Sequence, residues 1–350
     1  MNLSRRHMIG AGVAALSWGS ISGGCAAQDQ ITTPIDTKAN TSSAWNFSTP
    51  LPLAVQEIYP AKHNNRIHQA GGFIATNGRI SGPTNKHFSW QPGEEVWREE
   101  TPLPTARHHP QLISFKGQLL AVAGFESRDA QSVWIMQNSG WALSPEGQWG
   151  KIPELPSPCG EAVLGITSDG QLHLAGGRTP IGSANAGWQD HGDTGHHFVL
   201  SDISEKWERA APCLSKRNSA AGAVINGQLH IVGGRQVGGG NLAVHEVYNS
   251  KEDRWRDAAP MPQAQGGLAA AVLEGKLYAF GGEYFDNGGG VYPESWAYNP
   301  QTDSWAALPD MPSPRHGLGA VTLGSSIYVI GGAKQASGVN TSNIVERFTP

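Results

Sequence analysis

Short apolar runs of about five residues recur along most of the chain, separated by turns rich in glycine, proline and asparagine. One unit shows the arrangement clearly: an apolar run over 221–225, the hairpin signal Asn226-Gly227 and a second run over 229–233. A third run around 246–248 and a fourth run that carries a tryptophan complete the unit. These segments lack helical periodicity. The pattern predicts an all-β chain assembled from repeated four-stranded sheets.

A spacing of about fifty residues organises these runs. A glycine pair ends the second run of each unit, with Ala123-Gly124 in the place of one pair. The second members of the pairs are Gly72, Gly124, Gly177, Gly234, Gly282 and Gly332. Tryptophans keep the same spacing at Trp45, Trp97, Trp149, Trp207, Trp255 and Trp305. Each tryptophan precedes the next of these glycines by 27 residues, or by 28 in one unit, which predicts six repeated units.

The two ends of the repeat array complement each other. The last unit reaches Pro350 just after its third run, over 344–348, without a tryptophan of its own. Trp45 comes before the first complete pair of runs and has no earlier partner. We therefore expect the Trp45 segment to supply the fourth strand of the last sheet. Such a strand would leave the array without an open edge.

Three features of the unit resemble the Kelch repeat: the glycine pair, the tryptophan after a turn, and a downstream aromatic residue such as Tyr248, Tyr298 or Phe348. The resemblance covers residues 45–350 and implies a β-propeller in which each repeat forms one four-stranded blade. The expected fold is an all-β, six-bladed Kelch-type β-propeller closed by an N-terminal strand that joins the last blade. The resemblance says little about activity, because propellers host many functions.

Residues 1–27 have the features of an export signal and are set apart from the fold. Arg5-Arg6 resembles the twin-arginine motif of Tat signals, and a short apolar stretch over 8–16 follows. An ordinary signal with a basic start is the alternative. We expect the protein to be periplasmic or otherwise exported.

The end of this signal allows two outcomes. Ser22-Gly23-Gly24-Cys25 resembles a lipobox, in which Cys25 would be acylated and would anchor the chain to a membrane. Cleavage near Ala27 would instead release it. Residues 28–44, rich in Thr, Ser and Asn, are predicted to be a flexible tether ahead of the propeller over 45–350.

Composition narrows the function classes. Lys and Arg number 25 against 29 Asp and Glu, and the net charge of −4 excludes an overall basic nucleic-acid-binding protein. The chain has no run of 18 apolar residues and so no ordinary transmembrane helix. Cys159 and Cys213 are the cysteines beyond the signal, and two cysteines do not make a disulfide framework. The expected partner is a small molecule rather than nucleic acid, and the oligomeric state is left open.

By the Kelch resemblance, the first strand of each blade lines a central pore. Since the first two strands are antiparallel, residues entering the first and leaving the second should share one pore mouth. The entering residues form a first column of Val55, Arg107, Cys159, Arg217, Gln265 and Arg315. The second column is Gln56, His108, Gly160, Asn218, Gly266 and His316, and a third begins with Glu57, His109 and Glu161. The leaving residues are Phe73, Phe125, Arg178, Arg235, Glu283 and Ala333.

Five arginines and several histidines in these columns predict a mouth that attracts anions. The candidate ligand-binding residues are Arg107, Arg178, Arg217, Arg235, Arg315, Asn218 and Gln265. The alternative is that the arginines bridge neighbouring blades or pair with local carboxylates. Ligand binding is favoured because the blades differ at these columns while their framework stays alike.

A polar loop over 178–197 raises the question of a metal. Gln189, Asp193 and His197 are spaced four apart, which resembles the iron-binding Glu-x3-Asp-x3-His motif of plant Kelch specifier proteins, with Gln189 in place of Glu. Because that carboxylate is missing, we favour a polar loop, in which Asp and His side chains hold backbone turns, over an iron site. We predict no metal and no other cofactor, and Asp193 and His197 remain the candidates should one bind. Cys159 is interpreted as a small buried thiol rather than a nucleophile.

Exported bacterial six-bladed Kelch proteins that the chain resembles include N-acetylneuraminate epimerases, the sialic acid mutarotases. That resemblance implies a small anionic carbohydrate ligand and an isomerase activity, with Glu283 matching the family's pore-mouth glutamate. The family's arginine six residues later is replaced by Gly289. Glu283 is the expected base, and His108 or His316 the expected acid. The alternative is a non-catalytic Kelch scaffold that binds a ligand or a protein; a copper radical oxidase is disfavoured because it needs a Cys-Tyr pair.

Overall fold

The computed structural model describes residues 44–129 and 132–350. The predicted export signal over 1–27, the lipobox and nearly all of the tether over 28–44 lie outside the described residues. Within the described part, no helix has the length and apolar character needed to cross a bilayer.

Six four-stranded antiparallel sheets dominate the described residues, and we number them 1 to 6, with strands a to d in each. Sheets 1 and 2 comprise Ala61–His63, Arg66–Ala70, His87–Trp90 and Arg98–Glu100, then Gln111–Phe115, Gln118–Val122, Gly140–Leu143 and Trp149–Ile152. Sheets 3 and 4 comprise Val163–Ile166, Leu172–Ala175, His197–Leu200 and Glu208–Arg209, then Ala221–Ile225, Gln228–Val232, His245–Asn249 and Arg254–Asp257. Sheets 5 and 6 comprise Ala269–Leu273, Lys276–Phe280, Ser295–Asn299 and Ser304–Leu308, then Gly319–Leu323, Ser326–Ile330, Val345–Phe348 and Trp45–Phe47.

Short strand pairs at one end of the sheets build the loops between strands b and c, and in the first unit Val55–Gln56, which precedes strand a, joins such a pair. A three-stranded element contains Val55–Gln56, Phe73–Thr76 and Arg79–Pro83. Four two-stranded elements pair Phe125–Glu126 with Ile135–Met136, Arg178–Pro180 with His191–Asp193, Arg235–Gln236 with Gly240–Asn241, and Glu283–Tyr284 with Gly290–Val291. The described residues otherwise hold one short 3-10 helix, Trp188–Asp190. The predicted all-β class is confirmed.

The sheets contact one another through their a strands. Strand a of each sheet contacts strand a of the next in chain order, and strand a of sheet 6 contacts strand a of sheet 1. Small residues make this approach possible, as in the Ala269–Leu273 strand, whose first three residues are alanines. Apolar side chains fill the spaces between adjacent sheets: Phe115, Leu120, Leu174 and Phe198 belong to one such cluster. The core is thus divided into layers between sheets.

The periodic tryptophans join neighbouring sheets. Each donates its indole Nε1–H to a backbone carbonyl in the segment that leaves the preceding sheet. The bonds are Trp97 to Thr49 (3.0 Å), Trp149 to Thr101 (3.0 Å), Trp207 to Pro153 (3.1 Å), Trp255 to Ala211 (2.8 Å), Trp305 to Ala259 (2.8 Å) and Trp45 to Pro309 (3.0 Å). The tryptophan spacing in the sequence therefore marks a contact between sheets.

Trp45–Phe47 lies beside the last strand of the chain. It pairs antiparallel with Val345–Phe348, with Trp45 opposite Phe348. The Trp45 ring packs against Phe348 and Phe280, with ring centroids 4.9 and 5.4 Å away. Strand d of sheet 6 is therefore drawn from the opposite end of the sequence.

Candidate functional site

In every unit, the second-column residue forms a β-bridge with the residue that follows the glycine pair. The bridges are Gln56–Phe73, His108–Phe125, Gly160–Arg178, Asn218–Arg235, Gly266–Glu283 and His316–Ala333. Each unit therefore presents two neighbouring residues at the same end of its sheet, as the antiparallel argument requires. We call this end the mouth.

The third column adopts a left-handed backbone in all six units. Glu57, His109, Glu161 and Ser219 have φ of 56°, 55°, 55° and 50°, and Gly267 and Gly317 take the same position in sheets 5 and 6. Non-glycine residues rarely adopt this conformation, and it concentrates at functional sites. Backbone hydrogen bonds hold it across sheets: the N–H of His109 donates to Glu57 O at 3.0 Å, and the N–H of Gly317 donates to Gly267 O at 2.9 Å.

A cavity of about 930 Å³ opens at the mouth. Acidic, basic and imidazole side chains form its wall, and aromatic side chains such as Phe73, Trp134 and Trp188 form the rest. Four of the sequence-predicted site residues line it: Asn218, Arg235, Glu283 and His316. Small-molecule sites commonly have this size and this mixture of polar and aromatic groups.

Seven of the lining side chains form a closed circle of contacts, which we call the mouth ring. Its members, in order, are Glu283, His316, Glu57, His109, Glu161, Ser219 and Arg235. Each of the six repeats contributes at least one member. The repeat spacing puts Glu57, His109 and Glu161 in the third column without indicating a role for them, and it does not single out Ser219.

Arg235 and Glu283 form the ion pair of the mouth ring. Arg235 donates to Glu283 Oε1 at 2.8 Å and to Ser219 Oγ at 3.2 Å. Burial alone would lower the pKa of Arg235, but the carboxylates of Glu283 and Glu161 raise it. The other oxygen of Glu283 accepts the backbone N–H of Ser337 at 2.8 Å. Both contacts fix the orientation of the Glu283 carboxyl group.

Glu57 lies between the two imidazoles of the ring. Its Oε2 is 2.9 Å from His109 Nε2, and its Oε1 is 3.7 Å from His316 Nδ1. Burial would raise the pKa of Glu57, but His109, with smaller effects from His316 and Arg235, lowers it to about 2. Glu57 is therefore a carboxylate held in place by its neighbours.

His316 presents one nitrogen to the cavity without a hydrogen-bond partner. Its Nε2 lies 2.8 Å from the carbonyl oxygen of Ser337, so this nitrogen carries a proton. Its buried Nδ1 has no hydrogen-bond partner and lies 3.4 Å from Glu283 Oε2. A buried polar nitrogen without a partner, facing a cavity, is suited to proton exchange with a ligand.

His108 lies behind the cavity wall rather than in it. Its ring is stacked between Phe73 and Phe125, with centroids at 3.8 and 4.9 Å. Burial, reinforced by His109, lowers the pKa of His108 well below its usual range. Its Nδ1 is 2.7 Å from His109 Nδ1. The sequence-based placement is corrected here: His109 lines the cavity, and His108 supports it.

Three of the predicted arginine ligands are occupied inside the sheets. Arg107 pairs with Glu126 at 2.6 Å, Arg217 with Glu246 at 2.8 Å and Arg315 with Glu346 at 2.9 Å. The side chains of all three arginines are at most 2% exposed. Their guanidinium groups point away from the mouth, since the first column packs into the sheet. The predicted five-arginine mouth is therefore corrected, and the alternative of pairing with local carboxylates describes these three.

Arg178 and Gln265 are also turned away from the cavity. Arg178 donates to the carbonyl oxygens of Trp188 and His191 at 2.7 and 2.9 Å, and its guanidinium lies 4.0 Å from the centre of the Trp188 ring. Gln265 donates to Gly281 O at 2.8 Å and accepts the indole N–H of Trp296 at 2.9 Å. Neither lines the cavity, so these two positions are corrected as well.

The two candidate metal ligands, Asp193 and His197, have separate surroundings. His197 Nε2 is 2.9 Å from His173 Nδ1, and its Nδ1 donates to Ala211 O at 2.9 Å. Asp193 accepts hydrogen bonds from Asn218 and from the backbone N–H of Val237. Across 44–129 and 132–350, no group of three or more His, Cys, Asp or Glu side chains is arranged to hold a metal ion. The expectation that no metal binds stays a prediction.

The two cysteines within the described residues are unpaired and buried. Burial raises the pKa of each thiol, Cys159 and Cys213, to about 12. A thiol in this state is a poor nucleophile, so Cys159 is a packing residue.

Comparison with known proteins identifies the family. The Kelch motif matches residues 216–262 and 266–312. Kelch-like protein terF of Aspergillus terreus is 26% identical over 190 residues, covering 53% of this chain and 40% of that protein. Kelch-like protein 35 of Mus musculus is 30% identical over 187 residues, covering 52% of this chain and 28% of that protein. The chain thus matches less than half the length of these two relatives.

A solved structure supports the same assignment. The structure of YjhT matches with a TM-score of 0.68 at 13% identity, covering 84% of this chain and 95% of that one. At this identity the match shows the fold alone, which is a Kelch-type propeller. The chain belongs to the Kelch-repeat propeller family.

Proposed function

We propose that the six sheets are the blades of one closed propeller and that Trp45–Phe47 closes the ring. Two observations support this architecture. Contacts between the a strands run through the sheets in order and return from sheet 6 to sheet 1. The indole of Trp45 makes the same type of inter-sheet hydrogen bond as the other five periodic tryptophans, but to Pro309, near the far end of the chain.

We further propose that the mouth cavity binds one small carbohydrate and catalyses the exchange of its anomers. The observation that carries this proposal is the contact between Glu283 and His316. Their side chains line the cavity with Oε2 and Nδ1 3.4 Å apart, and that Nδ1 has no hydrogen-bond partner. A carboxylate and an imidazole side by side supply a base and an acid near one carbon atom. Aromatic rings in the same wall suit the apolar face of a sugar.

Anomer exchange requires proton transfer and one reversible bond break. Glu283 removes the proton of the anomeric hydroxyl while His316 gives a proton to the ring oxygen, and the bond between that oxygen and the anomeric carbon opens. Rotation of the resulting aldehyde or ketone, followed by closure, forms the other anomer. Arg235 donates a hydrogen bond to Glu283 and orients its carboxyl group for this role. General acid–base catalysis of this kind contributes about 10² to 10⁴-fold.

The charges in the cavity refine the expected ligand. Glu57, Glu161, Glu283 and Asp286 contribute four carboxylates against the single guanidinium of Arg235. A strongly anionic ligand would meet these carboxylates. We therefore propose a sugar recognised mainly through its hydroxyl groups, with at most one carboxylate, which Arg235 would bind.

Proton NMR of freshly dissolved sugars tests this function. We expect a trace amount of protein to accelerate anomer exchange for at least one sugar in a panel of neutral aldoses and sugar acids. Glu283→Gln should reduce that rate by about 10² to 10⁴-fold, because the amide cannot accept the proton. The matched control is Glu205→Gln, which removes an exposed carboxylate outside the cavity. Wild-type protein that accelerates exchange for no sugar in the panel would overturn the enzyme proposal.

A binding scaffold is the second candidate, and one observation favours it. Loops at the mouth carry exposed apolar side chains, including Ile181 (73%), Phe285 (59%) and Val237 (43%). Exposed apolar patches with polar surroundings mark protein interaction sites in many proteins. This candidate predicts that a partner or sugar binds to the mouth without any turnover in the NMR assay.

A further inference from the structure

The mouth ring contains more proton-carrying groups than one acid and one base. Five consecutive members alternate between carboxylate and imidazole: Glu283, His316, Glu57, His109 and Glu161. They come from five consecutive repeats, with sheet 5 at one end and sheet 3 at the other. We call these five residues the arc. Anomer exchange between two groups would not require the other three.

Both imidazoles of the arc are built in the same way. In each imidazole, one nitrogen contacts a group outside the arc, and the other nitrogen lies near two carboxylates. His316 Nδ1 lies 3.4 Å from Glu283 and 3.7 Å from Glu57. His109 Nε2 lies 2.9 Å from Glu57 and 3.9 Å from Glu161. A proton on either nitrogen can therefore move to a carboxylate on either side with small shifts of the side chains.

The outer nitrogens define which proton is mobile. The carbonyl of Val133 can only accept, so His108 Nε2, at 2.8 Å, carries a proton. Neutral His108 then offers a lone pair at Nδ1, and His109 Nδ1 donates to it across 2.7 Å. The carbonyl of Ser337 similarly keeps a proton on His316 Nε2. The exchangeable proton of each imidazole is thus the one that faces the carboxylates.

Glu57 joins the two halves of the arc. One of its oxygens faces His109 and the other faces His316. Its left-handed backbone, with φ of 56°, and the absence of a side chain at Gly317 make this position possible. A Cβ atom at Gly317 would lie 2.7 Å from Glu57 Oε1. Arg235 and the phenol of Tyr59 are the other charged or titratable groups that interact with Glu57.

We propose that the arc is a proton relay that returns protons across the cavity during anomer exchange, with Glu57 as its central link. This inference rests on the proposed function. The two anomers place their hydroxyl on opposite faces of the sugar ring, and in a closed six-bladed ring Glu283 (sheet 5) and His109 (sheet 2) lie on opposite sides of the mouth.

The proton balance of one turnover shows why a relay is needed. Glu283 takes the proton of the first anomer's hydroxyl, His316 protonates the ring oxygen, and the carbon–oxygen bond opens. After rotation the ring oxygen closes on the carbonyl carbon and returns its proton to His316, while the carbonyl oxygen takes a proton from His109. Glu283 has then gained one proton and His109 has lost one. Transfer from Glu283 through His316 and Glu57 to His109 restores the starting state, and nothing is oxidised or reduced.

Histidine-selective ¹⁵N NMR of the full chain tests the relay without any substrate. In the wild-type protein, we expect the ring nitrogens of His109 and His316 to respond to pH together. Glu57→Gln removes the link and should shift the pH response of both histidines, whereas the control Glu205→Gln, at an exposed position outside the mouth, should shift neither. A response of His109 alone to Glu57→Gln, or independent titration of the two histidines in the wild type, would overturn the relay. Glu57→Asp, a shorter carboxylate, serves if the Gln variant does not fold.

Kinetics separate this inference from the proposed function. For a sugar that wild-type protein turns over, Glu57→Gln should lower kcat by about 10-fold or more with little change in KM, since the relay acts after binding. Turnover with an unchanged kcat in Glu57→Gln would contradict the relay and leave the proposed function standing. Coupled histidine titration in a protein that turns over no sugar would overturn the proposed function and, with it, the role of the arc in anomer exchange.

Discussion

Five of the seven mouth-ring residues lie one or two positions after a first-column residue in the sequence, yet the two sets of side chains do opposite things. In the first column, Arg217 pairs with Glu246 and Arg315 with Glu346, and all four side chains are at most 2% exposed. Each pair lies within one sheet, and the two glutamates occupy the same position of strand c. The same arginine–glutamate pair therefore occurs in two sheets, where it links the residue that leads into strand a to strand c.

The mouth ring shows the contrary pattern. Its side chains differ from unit to unit, and all but one of its seven links join residues of different repeats. Glu57 and Arg235 keep 18% of their side-chain surface exposed. The recurring buried arginine–glutamate pairs therefore belong to the framework, and the mouth-ring side chains line the cavity. The following tests address that division.

The largest expected effect comes from deleting residues 43–50. The deletion removes Trp45–Phe47, which pairs with the last strand, and leaves the edge of Val345–Phe348 without a partner. We expect loss of cooperative folding or a large fall in the melting temperature, measured by circular dichroism. A deletion of equal length within 28–40 is the control and should leave the melting temperature unchanged. A truncated protein that melts at the wild-type temperature would contradict closure by this strand.

A smaller effect should follow from breaking a buried arginine pair. Arg315→Met leaves the carboxylate of Glu346 buried without its cation, and such a loss costs about 3–5 kcal/mol of the free energy of unfolding. Arg315→Met with Glu346→Leu should recover much of it, because no unpaired charge remains. Denaturant unfolding measures both. Arg254→Gln, at an exposed pair, is the control and should change stability little.

The same variants can also contradict the division between framework and mouth. If Arg315 belongs to the framework, the folded Arg315→Met, Glu346→Leu protein should bind and convert sugars as the wild type does. A selective loss of sugar binding in that stable variant would show that Arg315 belongs to the site.

The smallest expected effect is a dependence of stability on pH, which separates framework histidines from mouth histidines. Sheets 1, 3 and 4 each contain a buried histidine pair; in sheet 4, His230 and His245 are 2.9 Å apart. Burial lowers the pKa of His230 to about 3 and that of His245 to about 4, from 6.5. The unfolded chain therefore binds more protons than the folded chain between about pH 6.5 and 4.

Stability should consequently fall as the pH falls through this window, by up to about 1.4 kcal/mol per pH unit for each extra proton bound by the unfolded chain. Urea unfolding at several pH values measures the slope. His245→Gln should make it shallower, because one of these protons is lost. A free energy of unfolding that does not change between pH 6.5 and 4.5 would show that the pairs accept protons in the folded state.

The repeat and most of the fold were readable from the sequence because each periodic residue makes a contact that every unit needs. Each periodic tryptophan donates its indole N–H to a backbone carbonyl in the segment that leaves the preceding sheet. The same spacing therefore recurs throughout the chain. The glycines that end strand b have positive φ, as Gly234 with φ of 94° illustrates. These contacts and backbone conformations recur in every unit, so the same residue type appears in the sequence at a fixed interval.

The site was only partly readable, for a reason that neighbouring residues illustrate. Counting along the units predicted which residues lie at the mouth, and Arg235, Glu283 and His316 do line the cavity. The count could not tell which side chains turn inward. His108 and His109 are adjacent, yet the first is stacked between Phe73 and Phe125 while the second faces Glu57.

The amino-acid sequence by itself determined the sheets, their order and the end of each sheet where polar residues collect. Only the tertiary structure decided which of those residues form the site. The direction of each side chain depends on the left-handed backbone of the third column and on partners distant in the sequence, as when Glu246 of strand c keeps Arg217 inside its sheet. Those partners lie tens of residues away along the chain, so neither composition nor spacing records the contact.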